Sequence, residues 1–144
     1  MSGKILCAID LGHTEEERPL LVRAKRIADL DDSELDVITV VPGYSASIVG
    51  SFFPKGAERR MLNHANAELH EFVAKTLGEA VDKKIKHIVA QGTVYEEILK
   101  VAKDVKATLI IIGAHRPGLR DFLLGPNAAR VARHADCSVY IARL

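Results

Sequence analysis

Five short aliphatic runs, separated by helical patterns, constrain the fold of this chain more than any other feature of its sequence. The runs are Lys4–Asp10, Glu34–Val41, Lys86–Ala90, Ala107–Ile112 and Cys137–Ala142. Nearly continuous aliphatic strands that alternate with helices are typical of a parallel sheet covered on both faces, because the crossover helices lie on those faces. The sequence therefore predicts an α/β fold, with one doubly wound five-stranded parallel sheet in a single domain over residues 1–144.

Helix-start signals and apolar stripes mark the helices between these runs. Thr14–Glu17 and Thr93–Glu96 each match a capping box, in which a hydroxyl and a carboxylate bond opposite backbone N–H groups. Pro19 leaves open a later start for the first helix, because proline lacks a donor. Further helices are predicted over about Glu58–Val81 and about Asn127–His134. The residues expected to face the core are Leu20, Ala24, Ile27, Ala28, Leu62, Ala65, Leu69, Phe72, Val73, Ala80, Ile98, Leu99, Ala102, Val105, Ala128, Val131 and Ala132.

The carboxyl ends of the strands are the places to look for a ligand. In doubly wound sheets ligands bind beyond these ends, where the strand order reverses. The rule directs attention to Asp10, to the segments that begin at Val40 and at Gln91, and to the loop Gly113–Asn127. The connection Pro42–Lys55 is longer than about 12 residues, a length typical of functional or mobile loops.

The loop Gly113–Asn127 carries the most chemistry. It holds three glycines together with His115, Arg116 and Arg120, and it leads into a predicted helix N-terminus, which favours anions. It is neither a Walker A loop nor a GxGxxG fingerprint. The residues alone leave two interpretations open, which are phosphate binding and a loop whose glycines only permit sharp turns.

This loop and the segment after it resemble the carboxyl-terminal signature of the universal stress protein family. The resemblance rests on Ile112–His115, Leu123–Gly125 and His134–Val139. Ile5–Asp10 also resembles the first strand of that family, and Gly92–Ile98 resembles its third strand-to-helix junction. The similarity runs in order along essentially the whole chain.

The resemblance implies a fold and a ligand. The fold is a Rossmann-like five-stranded parallel sheet, similar to the adenine nucleotide alpha hydrolases, in a homodimer that pairs through Cys137–Ala142. One branch of the family binds ATP at the strand ends, so the implied ligand is ATP, with or without Mg²⁺, or AMP or ADP. The implied binding residues are Ile9, Asp10, Val40, Ile112 and Gly113 for the nucleoside, and His115, Arg116, Gly125, Pro126 and Asn127 for the phosphates.

The chain also departs from the family pattern in the glycine loop. Arg116 stands where the second glycine is expected, the stretch from there to Gly125 is one residue short, and Pro126 replaces a Ser/Thr hydroxyl. The combination of His115–Pro117 with Leu123–Ala129 resembles a subgroup in which arginine replaces that glycine. In that subgroup Arg116 would supply charge to the phosphates. The alternative is a solvated surface arginine.

The function implied by the resemblance is that of a stress-response regulator, which binds an adenine nucleotide without efficient catalysis. The alternatives are a family member that binds no nucleotide and acts as a dimeric interaction module, and a weak hydrolase or ligase. Neither a Walker lysine nor a Mg²⁺-ligating carboxylate pair is visible, so any ATP hydrolysis is expected to be slow. No metal site is predicted, because HxH and HExxH spacings are absent among His13, His64, His70, His87 and His134.

Charge and cysteine usage exclude other classes of function. Lys+Arg 20 and Asp+Glu 19 leave a net charge of +1, so neither nucleic acid nor an anionic membrane is expected as a partner. The apolar runs are shorter than the ~20 residues of a membrane span, and signal-peptide features are absent, so we expect a cytoplasmic location. Cys7 and Cys137 form no CxxC pair and are expected to be reduced core residues.

Overall fold

The computed structural model describes residues 3–42, 56–114 and 125–144. The strands are β1 (Lys4–Ala8), β2 (Glu34–Val41), β3 (Lys86–Gln91), β4 (Leu109–Gly113) and β5 (Ser138–Ala142). The helices are α1 (Thr14–Asp31), α2 (Ala57–Leu77), α3 (Glu79–Asp82), α4 (Val94–Asp104) and α5 (Ala128–His134). Two 3₁₀ turns, Leu11–His13 and Gly125–Asn127, precede α1 and α5.

The described strands form one parallel sheet in the order β3-β2-β1-β4-β5. Because β2 lies on one side of β1 and β4 on the other, the strand order reverses at β1. The predicted α/β fold with a doubly wound five-stranded sheet is confirmed, and each predicted run coincides with a strand to within two residues.

Side chains of the strands alternate between two apolar layers, one on each face of the sheet. In β1, Ile5 and Cys7 face α1 and α2, whereas Leu6 and Ala8 face α4 and α5. The buried helix residues of the first layer are Leu20, Leu21, Ala24, Ala28, Leu69, Phe72 and Val73, and those of the second are Val94, Ile98, Ala102, Ala128 and Val131. Helices therefore cover both faces, which explains why the strands are aliphatic almost throughout.

The predicted helix over about Glu58–Val81 is wrong in its last part. It ends one residue before Gly78, whose φ of 97° and ψ of 153° leave the helical region, and α3 begins afterwards. Such a φ favours glycine, because other residues are strained there. Ala80 is consequently exposed on α3, and Ala132 is exposed on α5 while its neighbour Val131 is fully buried.

None of the described helices is both long enough and apolar enough to cross a bilayer.

The starts of α1 and α4 are predicted correctly, but the side-chain hydrogen bonds expected from the two capping boxes do not form. α1 begins at Thr14 and contains Pro19, and α4 begins directly after Thr93, but neither start has a side-chain cap bond. The carboxylate of Glu17 instead accepts the backbone N–H of Asp10 at 3.0 Å. Glu17 lies on the buried face of α1, so its side chain turns toward the sheet rather than back to the helix start.

The cysteines lie at different depths. Cys7 in β1 is fully buried, as predicted, whereas Cys137 before β5 is only partly buried, and both thiols are free. Burial raises the pKa of Cys7 well above its ordinary value, and the nearby charge of Glu17 raises it further. Burial also raises the pKa of Cys137. Both thiols are therefore poor nucleophiles at neutral pH, because the thiolate is the reactive form.

A buried carboxylate lies near the amino end of the sheet. Asp36 in β2 is 3% exposed, and the Nζ of Lys4 is 3.7 Å from its Oδ2. Burial raises the pKa of Asp36, and the positive charges of Lys4 and Lys86 offset this effect only in part. Because the pKa is higher in the folded state than in the unfolded state, ionisation of Asp36 at neutral pH opposes folding.

We expect Asp36→Asn to raise the free energy of unfolding at neutral pH, by on the order of 1 kcal/mol. The gain over the wild type should shrink as the pH falls through the raised pKa toward the unfolded value of about 3.9, because the wild-type carboxyl then becomes neutral too. Urea denaturation at several pH values measures this. Glu34→Gln is the control, because Glu34 pairs with the same lysine at 3.4 Å but has a 72% exposed side chain. Lower stability of the Asp36→Asn variant than of the wild type at pH 7 would contradict the prediction.

Candidate functional site

A cavity of about 180 Å³ lies at the carboxyl ends of β1 and β2, beside the point where the strand order reverses. The strand ends contribute Ile9, Asp10, Thr39 and Val40, and the first turns of α2 contribute Met61 and Ala65. The structure thus brings together three residues that the sequence predicted for a nucleoside, which are Ile9, Asp10 and Val40. The walls are mainly apolar, and the Asp10 carboxylate belongs to a residue that is 5% exposed.

Two hydrogen bonds to residues that follow it in the chain hold Asp10 in place. Its backbone N–H is bound by the Glu17 carboxylate at 3.0 Å, and its own Oδ1 accepts the N–H of Gly12 at 2.9 Å. An aspartate at the start of a helical turn is well suited to this role, because its oxygen caps a free N–H. A side chain at position 12 would be crowded, since a Cβ on Gly12 would lie 3.1 Å from Asp10 Oδ1.

Glu17 holds Asp10 in position through its bond to the Asp10 backbone, although the sequence predicts that it caps the start of α1. It is completely buried, although it is one of three consecutive glutamates at the start of α1. A signal for this burial is present in the sequence. Leu20, Leu21 and Ala24 follow Glu17 at spacings of three, four and seven residues, so extending the apolar stripe backwards places Glu17 on the buried face.

The part of the cavity wall that α2 supplies was not predicted from the sequence, apart from the expectation that Ala65 is buried. Met61 and Ala65 line the cavity, and His64 and Glu68 lie at its rim with Nε2 and Oε1 2.7 Å apart. The predicted stripe through Ala65 and Leu69 continues back to Met61 at the same spacing, so periodicity indicates that Met61 faces inward. It does not indicate that this part of the helix covers a strand end.

The remaining predicted residues lie elsewhere or outside the described ranges. Ile112 and Gly113 end β4, the other neighbour of β1, and the side chain of Ile112 is fully buried toward α4 and α5. The turn Gly125–Asn127 leads into α5, and Pro126 in it is exposed. His115 and Arg116 lie outside the described residues, as do Arg120 and residues 43–55. The structure therefore describes the predicted nucleoside side of the site more fully than the predicted phosphate side.

Other cavities lie at the opposite end of the sheet. One of about 430 Å³ includes Lys4, Asp36 and Lys86 at the amino ends of β1 to β3. Another, of about 290 Å³, lies between α4 and the segment before β5 and includes Ala107 and Cys137. Both are larger than the cavity that contains Asp10, but ligands of doubly wound sheets bind at carboxyl ends. We therefore take the smaller cavity as the candidate site.

The structure also brings together two histidines that are 17 residues apart in the sequence. His70 and His87 both contact the carboxylate of Asp82, where α2, α3 and β3 meet. Burial lowers the pKa of His87, an effect that Asp82 opposes by hydrogen bonding and by its charge. The three residues have no local spacing that would have identified them, because they come from three separate elements.

Comparison with known proteins matches the chain over residues 1–143 to the family described as the universal stress protein family. Universal stress protein G of Shigella flexneri is 30% identical over 145 residues, which cover 99% of this chain and 100% of that protein. The solved structure of protein MJ0577 of Methanocaldococcus jannaschii is similar with a TM-score of 0.74 and 25% identity, covering 99% of this chain and 96% of the other.

Two further solved structures share the fold and contain adenine nucleotides. One is a universal stress protein in complex with cAMP, with a TM-score of 0.58, 22% identity and coverage of 98% and 96% of the two chains. The other is the universal stress protein of Archaeoglobus fulgidus in complex with dAMP, with a TM-score of 0.58, 19% identity and coverage of 98% of both chains.

Proposed function

Because this chain belongs to the universal stress protein family, we propose that it binds an adenine nucleotide, ATP, ADP or AMP, at the carboxyl ends of β1, β2 and β4. The nucleotide acts as a signal that stabilises one state of the protein, rather than as the substrate of a fast reaction. The observation that carries the proposal is the cavity that the buried residue Asp10 lines together with the apolar residues Ile9 and Val40.

The chemistry of this cavity suits a nucleoside. Flat apolar walls accommodate a purine ring, and a fixed carboxylate accepts hydrogen bonds from an exocyclic amine or from ribose hydroxyls. Pockets for whole drug-sized ligands usually measure about 300–1,000 Å³. A cavity of about 180 Å³ therefore suits the base and part of the sugar, with the phosphates outside it.

We assign the phosphates to His115, Arg116, Gly125, Pro126 and Asn127. Among the described residues that line the cavity there is neither a lysine nor an arginine, so we propose that the permanently charged side chain for the phosphates comes from another part of the chain. Arg116 is the predicted source. With Pro126 in place of a hydroxyl, fewer groups remain for a terminal phosphate, and we propose binding without efficient hydrolysis.

The relatives with bound nucleotides support an adenine ligand. The cAMP and dAMP found in two structures of the same fold both contain adenine, a sugar and a single phosphate. A ligand with one phosphate places fewer demands on the altered loop than ATP does. We therefore include AMP beside ATP in the proposal.

We also propose a homodimer that pairs through Cys137–Ala142. β5 lies at the edge of the sheet, where its outer backbone groups are available to a second strand. Ile141 in this strand is 37% exposed, and Leu144 after it is 44% exposed. An apolar edge of this kind is suited to a second copy of the chain.

Isothermal titration calorimetry with AMP, ATP and ATP plus Mg²⁺ tests the proposal, with GMP as the control for the base. We expect saturable binding of at least one adenine nucleotide at micromolar to millimolar concentration, with GMP weaker, and a rise in melting temperature by mass action. Sedimentation velocity on the same samples reports the dimer. Neither heat nor thermal shift with millimolar adenine nucleotides would contradict nucleotide binding and favour the interaction module.

A further inference from the structure

A cluster of two histidines and one aspartate lies away from the nucleotide cavity, near the start of β3. Nδ1 of His70 in α2 is 3.1 Å from Oδ2 of Asp82 in α3, and Nε2 of His87 in β3 is 2.6 Å from Oδ1 of the same residue. The two imidazole rings stack with their centroids 3.4 Å apart and 24° between their planes. All three ligand atoms lie within 4.8 Å of one another.

Two hydrogen-bond acceptors lie against the ring of His87. The ring bonds to the Asp82 carboxylate and also donates to the backbone of Ile85, and both partners are acceptors. A neutral imidazole carries only one N–H, so it can satisfy only one of them. The side chain is 3% exposed and stacks against another imidazole, so bulk water has little access to supply the missing partner.

A metal ion satisfies the same contacts without charging either ring. We propose that His70, Asp82 and His87 bind a divalent transition-metal ion, with Zn²⁺ as the best match to two imidazole nitrogens and one carboxylate oxygen. This ligand set with a fourth position for water is an established zinc arrangement in proteins. Zinc–ligand bonds are about 2.0–2.2 Å long, and the three ligand atoms lie within 4.8 Å of one another, close enough for side-chain movements to bring them onto one ion.

The surroundings agree with an open metal site. The bond from His87 to the Ile85 backbone is the outer contact that usually orients a metal-bound histidine. His70 is 45% exposed, so its side of the cluster is open to water and to an incoming ion. Asp82 is 14% exposed and supplies the negative charge between the rings.

Such an ion would join three elements that pack together at one corner of the fold. α2 and α3 are separated by the non-helical Gly78, and β3 begins shortly after α3. A ligand from each element would fix the angle between the two helices and the start of the edge strand β3. The ion would thus act on the stability of this corner of the fold, and it would not take part in nucleotide binding.

Titration of EDTA-treated full-length protein with ZnCl₂, followed by calorimetry, tests the site. We expect one equivalent of Zn²⁺ to bind to the wild type and a rise in its melting temperature. His70→Ala should weaken binding at least tenfold, since even outer contacts of metal ligands are worth about 10–100-fold. His70 is half-exposed, so this variant should keep its fold, and Asp82→Asn gives a second, nearly isosteric test.

His64→Ala is the matched control. His64 lies on the same helix, is 75% exposed and has its own carboxylate partner in Glu68 at 2.7 Å. Its loss should leave Zn²⁺ affinity unchanged. Absence of saturable binding to the wild type would overturn the proposal. Equal affinity in wild type and His70→Ala would also overturn it, because the ion would then bind elsewhere.

Discussion

Glu17→Ala is expected to lower the free energy of unfolding by about 3 kcal/mol. Two losses add up at this position. The backbone N–H of Asp10, in a residue that is 5% exposed, loses its 3.0 Å acceptor, at a cost of about 1–3 kcal/mol. The truncated side chain also leaves a cavity beside the fully buried Leu20 and Leu21, and cavities of this kind cost on the order of 1–2 kcal/mol.

Guanidinium denaturation followed by circular dichroism measures this loss. Glu17→Gln keeps an acceptor oxygen and nearly the same volume, so it should lose about 1 kcal/mol or less. Glu15→Ala is the surface control, because Glu15 lies on the same helical turn with an 82% exposed side chain and should change stability by less than about 0.5 kcal/mol. If the alanine and glutamine variants of Glu17 were equally stable, the bond to Asp10 would not be what makes this residue important.

Ala65→Leu is expected to weaken adenine nucleotide binding at least tenfold while leaving the protein folded. Ala65 lies in α2 against the candidate cavity and is 7% exposed. A leucine there directs three additional carbon atoms toward a space of about 180 Å³, which then no longer accommodates the base. Leucine and alanine are both good helix formers, so α2 itself should be unaffected.

The matched control for this substitution is two residues further along the same helix. Ala67 is exposed, so Ala67→Leu makes the same chemical change away from the cavity and should leave affinity unchanged. Calorimetry with AMP gives the affinities, and thermal melts show that both variants are folded. Wild-type affinity in Ala65→Leu would mean that the nucleotide binds elsewhere, for example nearer Gly113 and the loop after it.

The strands and the proximity of Asp10 and Val40 could be predicted because each depends on local pattern plus one general rule. Aliphatic runs identify buried parallel strands, and the rule on carboxyl ends then places Asp10 and Val40 at the same edge of the sheet. The strand register agrees with this placement. Ala8 of β1 pairs with Ile38 of β2, so Asp10 and Val40, each two residues further along, lie at the same height in the sheet.

What could not be predicted depends on three-dimensional packing. Thr14 and Glu17 match a capping box in sequence, but burial of the helix face outweighs the local bond. The helix break at Gly78 follows from its φ, which glycine permits but does not require. His70 and His87 meet at Asp82 only because α2 packs beside β3, and no spacing along the chain encodes that contact.

The position of β1 in the middle of the sheet has a consequence for how the chain folds as it is synthesised. β1 leaves the ribosome before the other described strands, yet Thr108 at the entrance to its neighbour β4 donates to the carbonyl of Lys4 across 104 residues of sequence. Contacts of such separation form slowly, because loop closure must precede them. β1 can therefore pair with β2 early, whereas its other flank stays unpaired until β4 has emerged.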